Sequence, residues 1–249
     1  MLTWIILGAA GFGAGVVNAI AGGGSLLSFP ALLHTGMGAV HANATNTAAV
    51  WPGSAAAVFA YRQVIAGERR RAWTLAWPSL VGGAAGSWLL LHTSERVFRG
   101  IVPWLILFSC FLLTVQGPVA RWVSDRAGAD AARVPAALIA SQLLISVYGG
   151  YFGAGIGILM LAAMAIFLPH GLQAANGLKV LFATLINGIS AVYFLGMGAV
   201  RIPQAALMAV TSILGGLAGA RVAQRLPSRI LRVLVIAFGV AVAVILLVE

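Results

Sequence analysis

The sequence predicts an all-α, polytopic membrane protein made of two related halves. Hydrophobic residues make up 61% of the 249 positions and charged residues only 8%, and the mean hydropathy is +1.01. Soluble domains carry roughly 25% charged residues, so this chain has too little polar surface to cover a globule in water. Because long apolar stretches recur along it, we expect helices that use the bilayer as their solvent.

Two glycine-rich motifs occur twice and indicate an internal repeat. They pair residues 11–15 with 151–155 and residues 82–86 with 215–219. A shift of 133 residues places Asn43 on Asn176 without a gap, whereas the first motif needs a shift of 140. We therefore expect about seven extra residues in the first copy, near 22–25. The second motif is interpreted as a surface for close helix packing.

Each half contains five apolar segments, four long and one short. In chain order they are 2–21, 25–33, 40–61, 72–91 and 97–116, then 134–157, 158–168, 172–195, 202–223 and 230–248. The eight long ones reach the ~20 residues that a spanning helix needs. The two short ones hold matching places and lie at Pro30 and Pro169, as broken helices do at transporter sites. The prediction is eight full spans plus two short, broken helices.

The charge of the loops predicts that the halves have opposite orientations. The third and fourth segments of the first half flank a strongly basic loop, and the next loop is weakly basic, whereas the second half reverses this order. The arginines are Arg62, Arg69, Arg70 and Arg71, then Arg96 and Arg99, then Arg201, then Arg221, Arg225, Arg229 and Arg232. Because basic loops face the cytoplasm, the N-terminal repeat 1–116 and the C-terminal repeat 134–249 are expected to be inverted copies, joined by a polar linker at 117–133. Both termini are then periplasmic, and a parallel repeat with re-entrant short segments is the alternative.

Acidic residues are confined to loops and to the chain end. They are Glu68, Glu95, Asp125, Asp130 and Glu249. Cation pumps and proton-coupled carriers usually bury carboxylates, so metal-ion uptake and a carboxylate proton relay are not expected. The sequence also lacks a carboxylate pair and a Cys/His cluster, which argues against an enzyme, a metal site and a cofactor. The net charge of +10 comes mostly from loop arginines and does not predict nucleic-acid binding.

One lysine and two groups of polar residues are the candidate site. Lys179 is the only lysine and lies within an apolar segment, where a cation costs a few kcal/mol and is a candidate anchor for an anion. The other candidates, in chain order, are Gly23, Gly24, Ser25, His41, Asn43, Thr45, Asn46, Asn176 and Asn187. Glycine backbone, amides, hydroxyls and helix starts all donate hydrogen bonds to an oxyanion. The alternatives are snorkelling for the lysine, a tight turn for the glycines, and capping or interhelical hydrogen bonds for the amides and hydroxyls.

These motifs resemble the TauE/SafE sulfite-exporter family over nearly the whole chain. The resemblance is carried by 13–25, Pro30, 42–46 and 52–53 in the first half, and by 153–155, 175–177, Lys179 and Asn187 in the second. It implies movement of sulfite, sulfonates or related organosulfur anions across the bacterial inner membrane. Where many relatives place a lysine after the threonine, this chain has Asn46 and Thr47, which leaves Lys179 as its only buried cation.

We therefore expect a secondary transporter of a small organosulfur anion that works by alternating access. The expected partners are that anion, the lipid bilayer, a coupling proton or sodium ion and, in a homodimer, a second copy of the chain. The alternatives are a passive anion channel and a membrane accessory protein that transports nothing.

Overall fold

A computed structural model of the protein describes residues 1–20, 23–125, 134–167, 172–222 and 228–248. These residues form eleven helices and no strand, which confirms the all-α prediction for the described part of the chain. The helices are α1 (Leu2–Ile20), α2 (Ser25–His34), α3 (Ala39–Ala60), α4 (Arg62–Gly67), α5 (Arg69–His92), α6 (Glu95–Asp125), α7 (Ala136–Tyr151), α8 (Ile156–Phe167), α9 (Leu172–Gly196), α10 (Ile202–Val222) and α11 (Ser228–Val248).

Several helices have the length and apolar composition of membrane spans. Within the described residues, three of them meet both criteria over Arg69–His92, Glu95–Val119 and Gln173–Gly196. Shorter apolar helices cover Leu2–Asn18, Ser25–His34, Ala136–Tyr151, Ile202–Ala218 and Val233–Val248. The helices therefore fit a membrane protein, and the number of eight spans stays a prediction.

Some helix boundaries differ from those expected. The basic loop after α3 contains the short helix α4, and α6 continues through residues 117–125 of the expected linker. The segment predicted at 134–157 ends as a helix at Tyr151, because Gly153 and Gly155 adopt φ angles of 84° and 80°. Only glycine takes such angles without strain, and α8 starts directly after them.

The expected insertion near 22–25 is wrong. Helix α1 ends at Ile20 and α2 begins at Ser25, while α7 ends at Tyr151 and α8 begins at Ile156, so the two halves have equal spacing at this point. The motif at 11–15 lies inside α1, whereas its sequence match at 151–155 spans the gap between α7 and α8. Glycine is needed within α1 for close packing, and between α7 and α8 for its backbone angles. Sequence matching does not distinguish these two requirements.

The most extensive contacts between helices recur when the two halves are exchanged. Helix α1 packs most extensively on α10, and α7, its counterpart, packs most extensively on α5. Likewise α3 contacts α10 as α9 contacts α5, and α2 contacts α11 as α8 contacts α6. Helices α3 and α9 contact each other, as do α6 and α11. Every major contact in one half thus has an equivalent in the other.

Glycines bring the two most extensive pairs together, which confirms the packing role of the second motif. A Cβ atom at Gly82 would lie 2.6 Å from the carbonyl oxygen of Leu143 on α7. A Cβ atom at Gly215 would collide with the carbonyl oxygen of Phe12 on α1. Larger side chains at these positions would push the helices apart.

Candidate functional site

Two helix breaks, one in each half, organise the candidate residues. The first separates α1 from α2 and the second separates α7 from α8. Helix α3 contacts α2 and donates a hydrogen bond to the end of α7, so it touches both breaks. Most of the predicted residues divide between these two breaks.

Hydrogen bonds hold the second break in a defined shape. The hydroxyl of Tyr148 donates to the carbonyl oxygen of Ala154 at 2.7 Å, and the hydroxyl of Ser109 on α6 donates to the same oxygen at 3.1 Å. Sequence analysis missed these two residues, because their partner is a backbone carbonyl distant from Ser109 in the chain. They fix the residues that lead into α8.

The start of α8 offers unsatisfied backbone donors. Among the described residues, no hydrogen bond is formed by the backbone N–H groups of Ala154, Gly155 and Gly157. Such groups carry the positive end of the helix dipole and bind anions. The first turn of α8 is therefore a place where an anion would be stabilised.

Lys179 lies against this turn. A Cβ atom at Gly157 would be 3.1 Å from Cδ of Lys179, so the lysine side chain crosses α8 where that helix has no side chain of its own. Its ammonium group donates to Oδ1 of Asn176 at 2.9 Å. Within the described part of the chain it forms no ion pair. A half-buried cation thus stands beside free helix N–H groups without a carboxylate to neutralise it.

Asn187 lies at the same break, on roughly the face of α9 that carries Lys179. Its Oδ1 would be 3.7 Å from a Cβ atom at Gly153. Asn187 makes no hydrogen bond with the described residues, and it is half-buried. Its amide is therefore available to a ligand.

Asn43 reaches the second break from α3. Its Nδ2 donates to the carbonyl oxygen of Tyr151 at 2.9 Å. The residue is only 1% exposed, and its Oδ1 has no hydrogen-bond partner. The structure thus brings together Asn43, Asn176, Lys179 and Asn187 around the break between α7 and α8.

Side chains of the protein form hydrogen bonds with or next to the described residues of the first break. The backbone N–H of Gly24 donates to Oδ1 of Asn18 at 2.8 Å, and Ser28 donates its hydroxyl to Oδ1 of Asn46. Gly23 has a φ of 93°, and Ser25 is half-buried. Gly23, Gly24 and Ser25 lie at this break, and Asn46 makes the interhelical hydrogen bond that was the alternative interpretation.

Two candidates near the start of α3 belong to neither break. Oγ1 of Thr45 accepts the backbone N–H of Arg201 at 3.0 Å, which ties α3 to the start of α10. His41 is exposed in the first turn of α3. We assign Thr45 to helix packing on this contact.

The start of α3 is occupied by an acid from the start of α6. The Glu95 carboxylate accepts the backbone N–H groups of Ala39 and Val40, the second at 3.2 Å. An anionic ligand at this helix start stays a prediction, and the first two N–H groups of α3 already have a carboxylate of the protein as their acceptor.

Comparison with known proteins decides the family. A family model described as "Sulfite exporter TauE/SafE" matches residues 7–246. The chain belongs to the TauE/SafE family. A probable membrane transporter protein of Haemophilus influenzae is 30% identical over 238 residues, which cover 93% of this chain and 89% of the relative.

Other members are similar over most of their length. The probable membrane transporter protein YfcA of Escherichia coli K12 is 28% identical over 225 residues, or 90% of this chain and 81% of the relative. The probable membrane transporter protein ORF9 of Sinorhizobium sp is 27% identical over 244 residues, or 96% and 90%. No solved structure matches the chain significantly. The chain is therefore a membrane transporter of the TauE/SafE family, and the resemblance noted from its motifs is confirmed.

Proposed function

We propose that this family member is a secondary transporter of a small organosulfur anion, with the sulfonate or sulfite head bound at the start of α8. The observation that carries the proposal is Lys179 lying on Gly157, beside helix N–H groups without partners. The name of the family model supports the choice of a sulfur oxyanion. The proposed ligands are Lys179, Asn187 and the backbone N–H groups of Gly155 and Gly157.

The electrostatics of this turn favour an anion over a cation or a neutral solute. The ammonium group and the helix N-terminus both contribute positive potential, and the surrounding apolar helices keep the local dielectric low. A head group with three oxygens accepts several hydrogen bonds at once, which matches a set of ammonium, amide and backbone donors. Oδ1 of Asn176 accepts a hydrogen bond from the ammonium group and so helps to position it.

The architecture supports alternating access. Both short helices follow breaks, and the helix packing is the same after exchange of the halves, as expected of repeat-based transporters. We propose inverted repeats in the bacterial inner membrane, with both termini in the periplasm, on the distribution of arginines between loops.

Substitution of Lys179 tests the site. Lys179→Met removes one charged hydrogen-bond donor, worth about 1.5–3 kcal/mol, so sulfonate affinity should fall about tenfold to a hundredfold. Lys179→Arg, which keeps the charge, should retain part of the affinity. Arg70→Met is the control, because it removes an equal charge from an exposed residue in the first turn of α5.

The measurement is a thermal-shift titration of purified protein with sulfite, thiosulfate, taurine, sulfoacetate and aromatic sulfonates, followed by flux into proteoliposomes. Wild-type affinity and flux in Lys179→Met would refute the anchor role. Flux that never accumulates substrate against its gradient, under any imposed ion gradient, would favour the passive channel. The absence of a shift with every anion would favour the accessory protein.

A further inference from the structure

The second break holds a feature that an anion does not explain. Oδ1 of Asn43 is a hydrogen-bond acceptor without a partner in a residue that is 1% exposed. Burying such an atom unpaired is unfavourable, because its hydrogen bonds to water are lost and not replaced. The orientation of the Asn43 side-chain amide is fixed by its contact with Tyr151. A carbonyl oxygen can only accept a hydrogen bond, so the Tyr151 carbonyl must face the donor Nδ2. An acceptor in this position needs a cation or a donor group.

Further acceptors surround the same break. Helix α7 ends here, and its last carbonyl groups carry the negative end of its dipole. Among the described residues, the carbonyl oxygens of Gly149, Gly150 and Phe152 accept no hydrogen bond. Asn187, whose Oδ1 lies near Gly153, also has no partner. The break therefore presents oxygen acceptors on its α7 side and hydrogen donors on its α8 side.

We propose that a sodium ion binds on the α7 side of the break, with Oδ1 of Asn43 and carbonyl oxygens at the end of α7 as ligands. Hard cations prefer oxygen ligands, and carbonyls of unwound helices and of half-helix C-termini coordinate Na⁺ in transporters. Divalent cations usually require carboxylates, and Asn43 and these carbonyls are uncharged. Neutral amide and carbonyl oxygens do not hold a proton at physiological pH, so protons are the poorer occupant.

Bound Na⁺ would couple directly to the anion. The cation and the sulfonate would occupy the two ends of one helix break, so each would lower the electrostatic free energy of the other. This coupling role rests on the proposed transport function, whereas Na⁺ binding itself does not.

The experiment measures thermal unfolding of the full-length protein without any sulfonate, in NaCl, KCl or choline chloride at equal ionic strength. Wild-type protein should melt at a higher temperature in NaCl than in the other two salts, and the difference should saturate with Na⁺ concentration. Equal melting temperatures in the three salts would overturn the proposal, as would an equal rise in KCl and NaCl. Wild-type protein alone therefore shows whether Na⁺ binds, without any variant.

Variants then locate the ion. Asn43→Ala should raise the Na⁺ concentration for the half-maximal shift by at least about tenfold, as loss of a ligating or supporting group does at metal sites. Gln142→Ala is the matched control, because Oε1 of Gln142 is also buried without a partner but lies between α5 and α7, where Nε2 contacts Ser79. A Na⁺ response that survives in Asn43→Ala would refute the assignment to this break.

The two proposals fail separately. Lys179→Met should lose the anion response and keep the Na⁺ response, since its side chain lies on the α8 side of the break. A wild-type protein that binds sulfonates but shows no Na⁺ response refutes only the cation site. A protein that responds to Na⁺ but to no organosulfur anion refutes only the proposed substrate.

Discussion

Gly157 shows how one missing side chain shapes the candidate site. Its backbone leaves the space through which Lys179 reaches the first turn of α8. The sequence showed the lysine as unusual, because a cation inside an apolar segment is costly. It did not show the glycine, because α8 is otherwise a uniformly apolar helix. A sequence therefore identifies a lone polar residue in an apolar segment, but it does not show which neighbouring residue leaves room for the side chain.

Gly157→Ala separates the stability of α8 from its ligand binding. Alanine is favoured over glycine in a helix by about 1 kcal/mol, and the new methyl group would displace only the flexible Lys179 chain, 3.1 Å away at Cδ. We expect unchanged or higher thermal stability together with weaker sulfonate binding. Thermal unfolding with and without sulfonate measures both effects.

Gly100→Ala is the control for this prediction, since Gly100 is an exposed helical glycine whose Cβ position has no neighbour within 4 Å. It should gain stability and bind sulfonate normally. Normal sulfonate binding in Gly157→Ala would show that the position of the lysine does not depend on this contact.

At the scale of elements, the starts of α3 and α8 differ in whether their backbone N–H groups have an acceptor. Glu95, from the start of α6, closes the first turn of α3, and the first turn of α8 stays open beside Lys179. Sequence reasoning found the short helices from their length, while Pro169, one of the two prolines used, lies outside the described residues. It did not predict that Glu95 accepts the first N–H groups of α3, because Glu95 lies 55 residues away from Val40 in the chain. Contacts of that separation have no local signal.

Removal of the Glu95 carboxylate should destabilise α3 without affecting the anion site. Glu95→Ala leaves the N–H groups of Ala39 and Val40 without their acceptor, at a cost of about 0.5–2 kcal/mol, typical of a lost helix cap. Glu95→Gln should cost less, because its amide oxygen still accepts a hydrogen bond.

The readout is the free energy of unfolding in a denaturant series, with the neighbouring exposed Arg96→Ala as control. If Glu95→Ala abolished the sulfonate response while unfolding normally, the carboxylate would belong to the substrate pathway and not to the α3 cap.

At the scale of the molecule, equivalent contacts between helices occur throughout both halves. Composition and hydropathy predicted the membrane class, and the repeated motifs predicted two related halves. The register of the first motif was misjudged, because two glycine functions look alike in sequence. The pairing of α1 with α10 was not readable, since no pattern along the chain records which distant helix fills a groove.

Labelling from one side of the membrane tests the inverted orientation. In a Cys110→Ser background, which removes the buried native thiol, single cysteines are introduced at Ala66→Cys in α4 and Met197→Cys after α9. Both positions are exposed. Inverted repeats place them on opposite faces, so an impermeant maleimide added to spheroplasts should label position 197 and not position 66.

Permeabilised cells provide the control, in which both cysteines must react. Labelling of both positions, or of neither, in sealed spheroplasts would contradict inversion and favour parallel repeats.

The pairing of α1 with α10 also constrains how the protein is made. Helix α1 leaves the ribosome long before its most extensive partner, α10, which begins only at Ile202. During synthesis the glycine face of α1, including Gly11 and Gly15, is therefore in the bilayer without the helix that it fits. This packing forms only after α10 has been made, so the earlier helices depend on the insertion machinery, or on lipid, to shield them from wrong partners.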